Sequence, residues 1–195
     1  GHACELGYGQ GVSVNAHAAA SNWQWHGTDF NPAQAGLAQT MAQVSGAHAQ
    51  LQADAFAEYA ARTDLPDFDF IALHGIWSWI SDENRQVLVD FIDRKLKVGG
   101  VLYISYNTWP GWSAFAPMRE LMQRYVQTQT ASGLGLPARI DAALNFADQV
   151  LAQSPRLQQV FPSVRDSMAR QRENGRAYLA HEFFNQDWRP MFFSE

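Results

Sequence analysis

The rhythm of the first 106 residues constrains the fold more than any other feature of the chain. Short β-like runs near 2–6, 23–28, 48–53, 68–74 and 101–106 alternate with helical stretches near 11–21, 31–45, 55–63 and 82–97. Strands separated in this way are joined by right-handed helical crossovers and lie parallel, which gives an α/β sheet with helices on its faces. The helix after Ser81 is the most fully specified. Ser81 can cap it, Asp82 and Glu83 meet its positive end, Lys95 and Lys97 its negative end, and Gly99-Gly100 stops it. Its apolar set Val87, Leu88, Phe91, Ile92 and Leu96 holds helical spacing and faces the sheet, with Val101 to Ile104 as the next strand.

After Trp112 the β pattern stops. Helical patterns run over 118–130, 138–153 and 157–172, punctuated by Gly133-Leu134-Gly135-Leu136-Pro137 and by Ser154-Pro155. The expected division is therefore an α/β core over 1–112 and a helical lobe over 113–195. With 195 residues, 47% of them hydrophobic and 17% charged, the chain can bury a core without staples. Its single cysteine, Cys4, cannot form an internal disulfide and fits a reducing, cytoplasmic setting. The apolar runs fall short of the roughly 20 residues of a membrane-spanning helix, and the opening Gly1-His2-Ala3 lacks a signal-peptide pattern and reads as a trimmed start.

The net charge of −5 argues against a nucleic-acid partner. The deficit lies in residues 1–112, with 5 basic and 11 acidic groups, against 9 and 8 in the rest. Arg165, Arg170, Arg172 and Arg176 crowd one stretch, read as a solvated helix face with an anion site as the alternative. Six dispersed histidines make no metal site, and His181-Glu182 is not a zinc-protease motif because Asn185 stands four residues beyond His181.

Glu5-Leu6-Gly7-Tyr8-Gly9-Gln10-Gly11 falls where the first strand meets the first helix, the place where an open α/β sheet opens its ligand crevice. The spacing is G-x-G-x-G, with Val12 where a dinucleotide fingerprint requires a third glycine, and no phosphate-binding G-x-x-x-x-G-K-[ST] loop occurs. No Tyr has a Lys four residues later, so a nucleotide-dependent oxidoreductase is disfavoured. Asp29 ends the second strand and can accept from both ribose hydroxyls, although Asp29 or Asn31 could instead cap the helix at Pro32. Asp54, beside Ala55 and Phe56, closes the third strand and can face a purine amino group, or simply cap a helix. The three strand ends together describe a nucleoside site with no phosphate requirement.

These residues resemble class I S-adenosylmethionine-dependent methyltransferases, whose E/D-x-G-x-G-x-G motif is matched by Glu5, Gly7, Gly9 and Gly11. The resemblance implies a Rossmann-like, mostly parallel sheet of order 3-2-1-4-5. It implies S-adenosyl-L-methionine as cofactor, contacted by the loop including Tyr8, by Asp29 and Phe30 at the ribose, and by Asp54, Ala55 and Phe56 at the adenine. The segments Leu73 to Trp79, Tyr103 to Trp112 and Tyr178 to Asn185 are similar to a bacterial branch that carries a helical methyltransferase regulatory domain. Some members of that branch are similar to protein-lysine methyltransferases, which implies a protein lysine amine among the acceptors. The family's upstream helices and its sixth and seventh strands have no counterpart in the sequence, and an uncovered edge beside the fifth strand invites pairing with another copy.

Methyl transfer from a sulfonium needs orientation and a dry pocket more than a particular catalytic residue. An amine acceptor must lose a proton, which a backbone carbonyl, a Tyr hydroxyl or His74 could receive; the catalytic candidates are His74, Tyr106 and Asn107. His74 also serves as a wall of the cofactor crevice or as a structural histidine. Trp77, Trp79, Tyr106, Asn107, Trp109 and Trp112 follow the fourth and fifth strands, where the substrate would enter; the competing reading is that these aromatics pack sheet against lobe. A non-catalytic cofactor-binding or protein-interaction module is the remaining alternative.

Overall fold

The computed structural model describes residues 1–130, 133–173, 175, 178–180 and 184–194. Its first compact unit, Gly1–Tyr106, is built on five parallel strands in the order β3-β2-β1-β4-β5. The strands are β1 (His2–Leu6), β2 (Gln24–Thr28), β3 (Ala49–Gln52), β4 (Phe68–Leu73) and β5 (Leu96–Ile104). The crossovers are α1 (Val12–Ala20), α2 (Pro32–Ser45), α3 (Phe56–Ala60) and α4 (Asp82–Lys95). This is the α/β arrangement that the alternation predicts.

Period-two alternation sorts β1 between two cores. Cys4 and Leu6 join Tyr59, Phe68, Ile71, Leu73, Leu88 and Phe91 on one face, under α3 and α4. Ala3 joins Val14, Ala18, Trp25, Ala35, Ala38 and Leu51 on the other, under α1 and α2. The second core is rich in alanine, so these two helices approach closely. At Gly11, which caps α1 with φ +77°, an added Cβ would lie 2.3 Å from the Cβ of Ala38.

Two local expectations are corrected. Ser81 does cap α4, its hydroxyl accepting from the Asn84 amide, but the helix ends at Lys95 and β5 begins at once with Leu96. Leu96 pairs with Phe68, and the register shifts before Val101 pairs with Phe70, so Gly99-Gly100 belongs to an irregularity within β5 rather than to a helix stop. Lys97 accordingly pairs with Asp69 at 3.0 Å instead of facing a helix end. The physical reason is packing: Leu96 joins the core under α4. The expected helix over 157–172 is broken in two, α7 (Pro155–Val160) and α8 (Ser163–Glu173). Pro162 lacks an amide donor and drives Phe161 out of the helical region, to φ −127° and ψ 71°.

The second compact unit, Asn107–Glu195, contains α5 (Ala116–Gln129), α6 (Leu136–Ala152), α7 and α8 around Met118, Met122, Ile140, Leu144, Leu151, Val164 and Met168. It starts ahead of the expected 112/113 boundary because Asn107 to Trp109 pair with Met191: the Met191 amide donates to the Asn107 carbonyl, and the Trp109 amide to that of Met191. Of the crowded arginines, Arg172 bonds to Asp148 and Asn145 of α6, and Arg176 lies outside the described residues. His181-Glu182 also lies outside them. Among the described residues no helix is long and apolar enough to cross a membrane.

Gly11→Ala is expected to lower the unfolding free energy by about 1–3 kcal/mol, through overpacking against Ala38 and a disfavoured φ. Adding Ala38→Gly should recover part of the loss. Urea denaturation of the two variants and the parent checks this, and an unchanged midpoint for Gly11→Ala would contradict the close approach.

Candidate active site

The candidate site lies at the carboxyl ends of β1, β2, β3 and β4, within the first unit. Gly7, Gly9 and Gly11 all take positive φ, and none of the described non-glycine residues does. At Gly7 a side chain is excluded twice over, by φ +72° and by Ile76, whose Cγ2 would lie 2.8 Å from an added Cβ. The loop is pinned at both ends. The Gly7 amide donates to the Thr28 carbonyl at 2.8 Å, and Asn15, buried in α1, donates from its amide nitrogen to the carbonyls of Gly11 and Ala38.

Asp29 does not cap a helix. That role falls to Asn31, whose side chain accepts from the amides of Ala33 and Gln34. Asp29 instead accepts from the Gly9 amide on Oδ2 and from the Asn31 amide on Oδ1, each at 2.9 Å, so the acid clamps the glycine loop to the end of β2. Each carboxylate oxygen retains lone-pair capacity for a further donor.

Asp54 is not a cap either: α3 is capped at Ala55, whose amide donates to Glu58. The Asp54 main chain is held on β2 by the fully buried Thr28, whose hydroxyl donates to its carbonyl at 2.5 Å and accepts from its amide at 3.2 Å. Arg62 donates to Asp54 Oδ2 at 3.1 Å. Phe30 is 74% exposed beside Asp29, Ala55 is exposed, and Phe56 packs partly against the core under α3.

Tyr8 sits beneath the loop rather than on its surface. It is buried, and its hydroxyl donates to the Gln52 carbonyl at 2.6 Å. It needs Gly27 beside it, where an added Cβ would meet the Tyr8 ring at 2.9 Å. Burial raises the phenol's pKa, and the neighbouring charges of Asp29 and Asp54 raise it further, so Tyr8 remains a neutral donor. Glu5 is 3% exposed, and burial pushes its carboxyl up to about 7 against a hydrogen bond from Ser13.

On the β4 side His74 is exposed, its ring edge-on to Tyr103 at 6.1 Å, and the Gly75 amide donates to the Ser105 hydroxyl at 2.7 Å. Trp77 is partly packed against the core and Trp79 is buried, both in the 3₁₀ turn Trp77–Trp79, which favours packing over an open substrate wall for this pair. Tyr106 is half-buried at the end of the first unit. Asn107, Trp109 and Trp112 belong to the second unit, where the Trp112 ring meets Phe115 and Trp188. There Arg119 lies 4.1 Å over the Trp188 ring and donates to the Asn185 carbonyl. Thr28, Arg62, Ser105 and Arg119 carry no motif that marks them. Among the described residues no cluster of three His, Cys, Asp or Glu side chains is arranged to hold a metal ion.

A family model described as a methyltransferase domain matches residues 3–100, which include the glycine loop, Asp29, Asp54 and His74. The chain belongs to the methyltransferase-domain family. Its sheet is that of the class I S-adenosylmethionine-dependent methyltransferases. An uncharacterized protein of Synechocystis is 42% identical over 194 residues, covering 98% of this chain and 38% of the relative. An uncharacterized protein of Rickettsia prowazekii is 27% identical, covering 98% of the chain and 34% of the relative. The chain thus spans less than two fifths of the length of either relative. Among solved structures, PKMT2 from Rickettsia typhi in complex with AdoHcy aligns over 99% of this chain and 36% of its own, with a TM-score of 0.73 and 24% identity.

Glu5 gives this methyltransferase domain a pH signature. Its carboxyl binds a proton more tightly in the folded protein, at about 7, than in the unfolded chain, at the ordinary 4.5, so its contribution to stability is full below 4.5 and is lost as pH rises through 7. Relative to Glu5→Gln, the parent should therefore lose on the order of 2–3 kcal/mol between pH 4 and 8. Urea midpoints of both proteins across that range test the assignment, and parallel curves would refute it.

Proposed function

We propose that this chain is the S-adenosylmethionine-binding part of a methyltransferase whose acceptor is a protein amine. One observation carries the reading: a loop with glycine at positions 7, 9 and 11, a clamped acid after β2 and an anchored acid after β3 share one crevice, joined by the Gly9–Asp29 and Thr28–Asp54 hydrogen bonds. The acceptor set fits the cofactor. Asp29 has lone pairs left for ribose hydroxyls, Asp54 Oδ1 has one for a purine amino group, and the Glu5 carboxylate suits a cationic amino-acid end. Phe30, Ala55 and Phe56 flank the adenine place, and His74 walls the crevice. Tyr8 contributes from below, by holding β3 against the loop.

S-adenosylmethionine supplies, when bound, a methyl group already activated by its sulfonium. This chain's residues bind and orient, which is where most of the rate enhancement in such a displacement arises. A protein amine must become neutral before it attacks, and His74, exposed at the end of β4, is a proton acceptor of the first unit on this reading, with the Tyr106 hydroxyl as a second and Asn107 as a residue that could orient the amine. The amine acceptor is supported by the likeness to PKMT2 across nearly the whole chain. In the second unit, 107–195, the helical part is assigned to the acceptor rather than to the cofactor.

Calorimetric titration with S-adenosylmethionine, S-adenosylhomocysteine and NADH should show binding of the first two alone. Asp29→Ala should weaken that binding by about 1–3 kcal/mol, because it removes an acceptor from a buried place. In radiolabelled methyl transfer to a lysine-containing polypeptide, Tyr106→Phe and Asn107→Ala should change acceptor turnover more than cofactor affinity. Binding of NADH alone, or unchanged affinity in Asp29→Ala, would contradict the reading.

A further inference from the structure

Asp54 is anchored through its main chain, and that leaves its side chain to be aimed. Thr28 takes both the amide and the carbonyl of Asp54, so the residue cannot move away from β2, but nothing in that contact sets the carboxylate's direction. Arg62, just past the end of α3, supplies the direction. Its amide donates to the Tyr59 carbonyl, which holds the chain where the helix ends. Its Nε and Nη2 donate to the two oxygens of Asp64 at 3.0 and 2.7 Å, a bidentate pairing that fixes the guanidinium plane. The third nitrogen, Nη1, then falls 3.1 Å from Asp54 Oδ2. Lysine has no planar fork and could not hold two carboxylates in this fixed relation.

The consequence is an asymmetric acid. Oδ2 is bonded by Arg62, and among the described residues nothing donates to Oδ1, so one wholly unused acceptor is presented in a set direction. The ion pair is not there for stability: the Arg62 and Asp54 side chains are 30% and 28% exposed, and pairs of that exposure contribute little. An aimed, acceptor-only oxygen discriminates between purines. It receives a hydrogen bond from a 6-amino group and repels a 6-oxo group, whose oxygen is also an acceptor.

We propose that Arg62 is a positioning residue that aims Asp54, and that the Asp64–Arg62–Asp54 chain sets the preference of the site for an adenine over a hypoxanthine nucleoside. This rests on the cofactor reading above. The test is calorimetry with S-adenosylhomocysteine and its deaminated counterpart, S-inosylhomocysteine, on the parent, Asp54→Asn, Arg62→Met and the double variant.

The parent should prefer the adenine form about tenfold or more, the range of a hydrogen bond to a charged group. Asp54→Asn should abolish most of that preference. Arg62→Met should cut it at least about threefold, leave the affinity for the hypoxanthine form and the urea midpoint unchanged, and add nothing in the Asp54→Asn background. If Arg62→Met weakens both ligands equally, or changes neither while Asp54→Asn removes the preference, the role of Arg62 is overturned and the cofactor reading stands. A parent that binds both ligands alike overturns the aiming of Asp54, and one that binds neither overturns the cofactor reading as well.

Discussion

Thr28 is the residue on which the crevice depends. Its carbonyl accepts from the amides of Gly7 and Tyr8, and its hydroxyl satisfies both the amide and the carbonyl of Asp54. A single fully buried residue therefore joins the ends of β1, β2 and β3, through its carbonyl on one side and its hydroxyl on the other. In a parallel sheet the strand ends otherwise fan out with the sheet twist, and loops leaving them have no ladder to hold them. Hydrogen bonds from a buried hydroxyl are costly to leave unmade, so the arrangement is held as a unit.

The glycine loop is held in place by bonds of the same kind. Three backbone positions with positive φ place amides where side-chain and carbonyl acceptors meet them, and small residues on α2 let the turn lie against that helix. Asp29 has two functions in this arrangement: it clamps Gly9 and keeps capacity for a further donor. Glu5 sits in the opposite condition, a carboxyl whose burial disfavours its charge. A group held in that state gains most from a cation, which is what the amino-acid end of the proposed cofactor would offer.

The two units use different physics. The first places its chemistry on strand ends, where the positions of loop residues follow from sheet register. The second is a set of amphipathic helices around a methionine- and leucine-lined core, with Arg119 lying over Trp188. The family match covers the first unit almost completely, and the relatives share both along nearly the whole chain.

The sequence by itself determined the alternation, the site of the glycine turn and the identity of the acids after β2 and β3, because each is written in residues close together along the chain, whereas the strand order came only with the family resemblance and is set by pairings between distant strands. The break at Pro162 was equally local, and the apolar pattern running through it concealed it. Tertiary structure alone decided what the acids do. Asp29 meets an amide 20 residues away, Tyr8 a carbonyl 44 away and Thr28 a main chain 26 away. Tyr8 lies beneath its loop because Gly27 on the neighbouring strand leaves room for the ring, and Leu96 is a strand residue because the core under α4 has a place for it. Propensity and capping act over a few residues, whereas the direction of a carboxylate depends on which distant donors the folded sheet brings beside it.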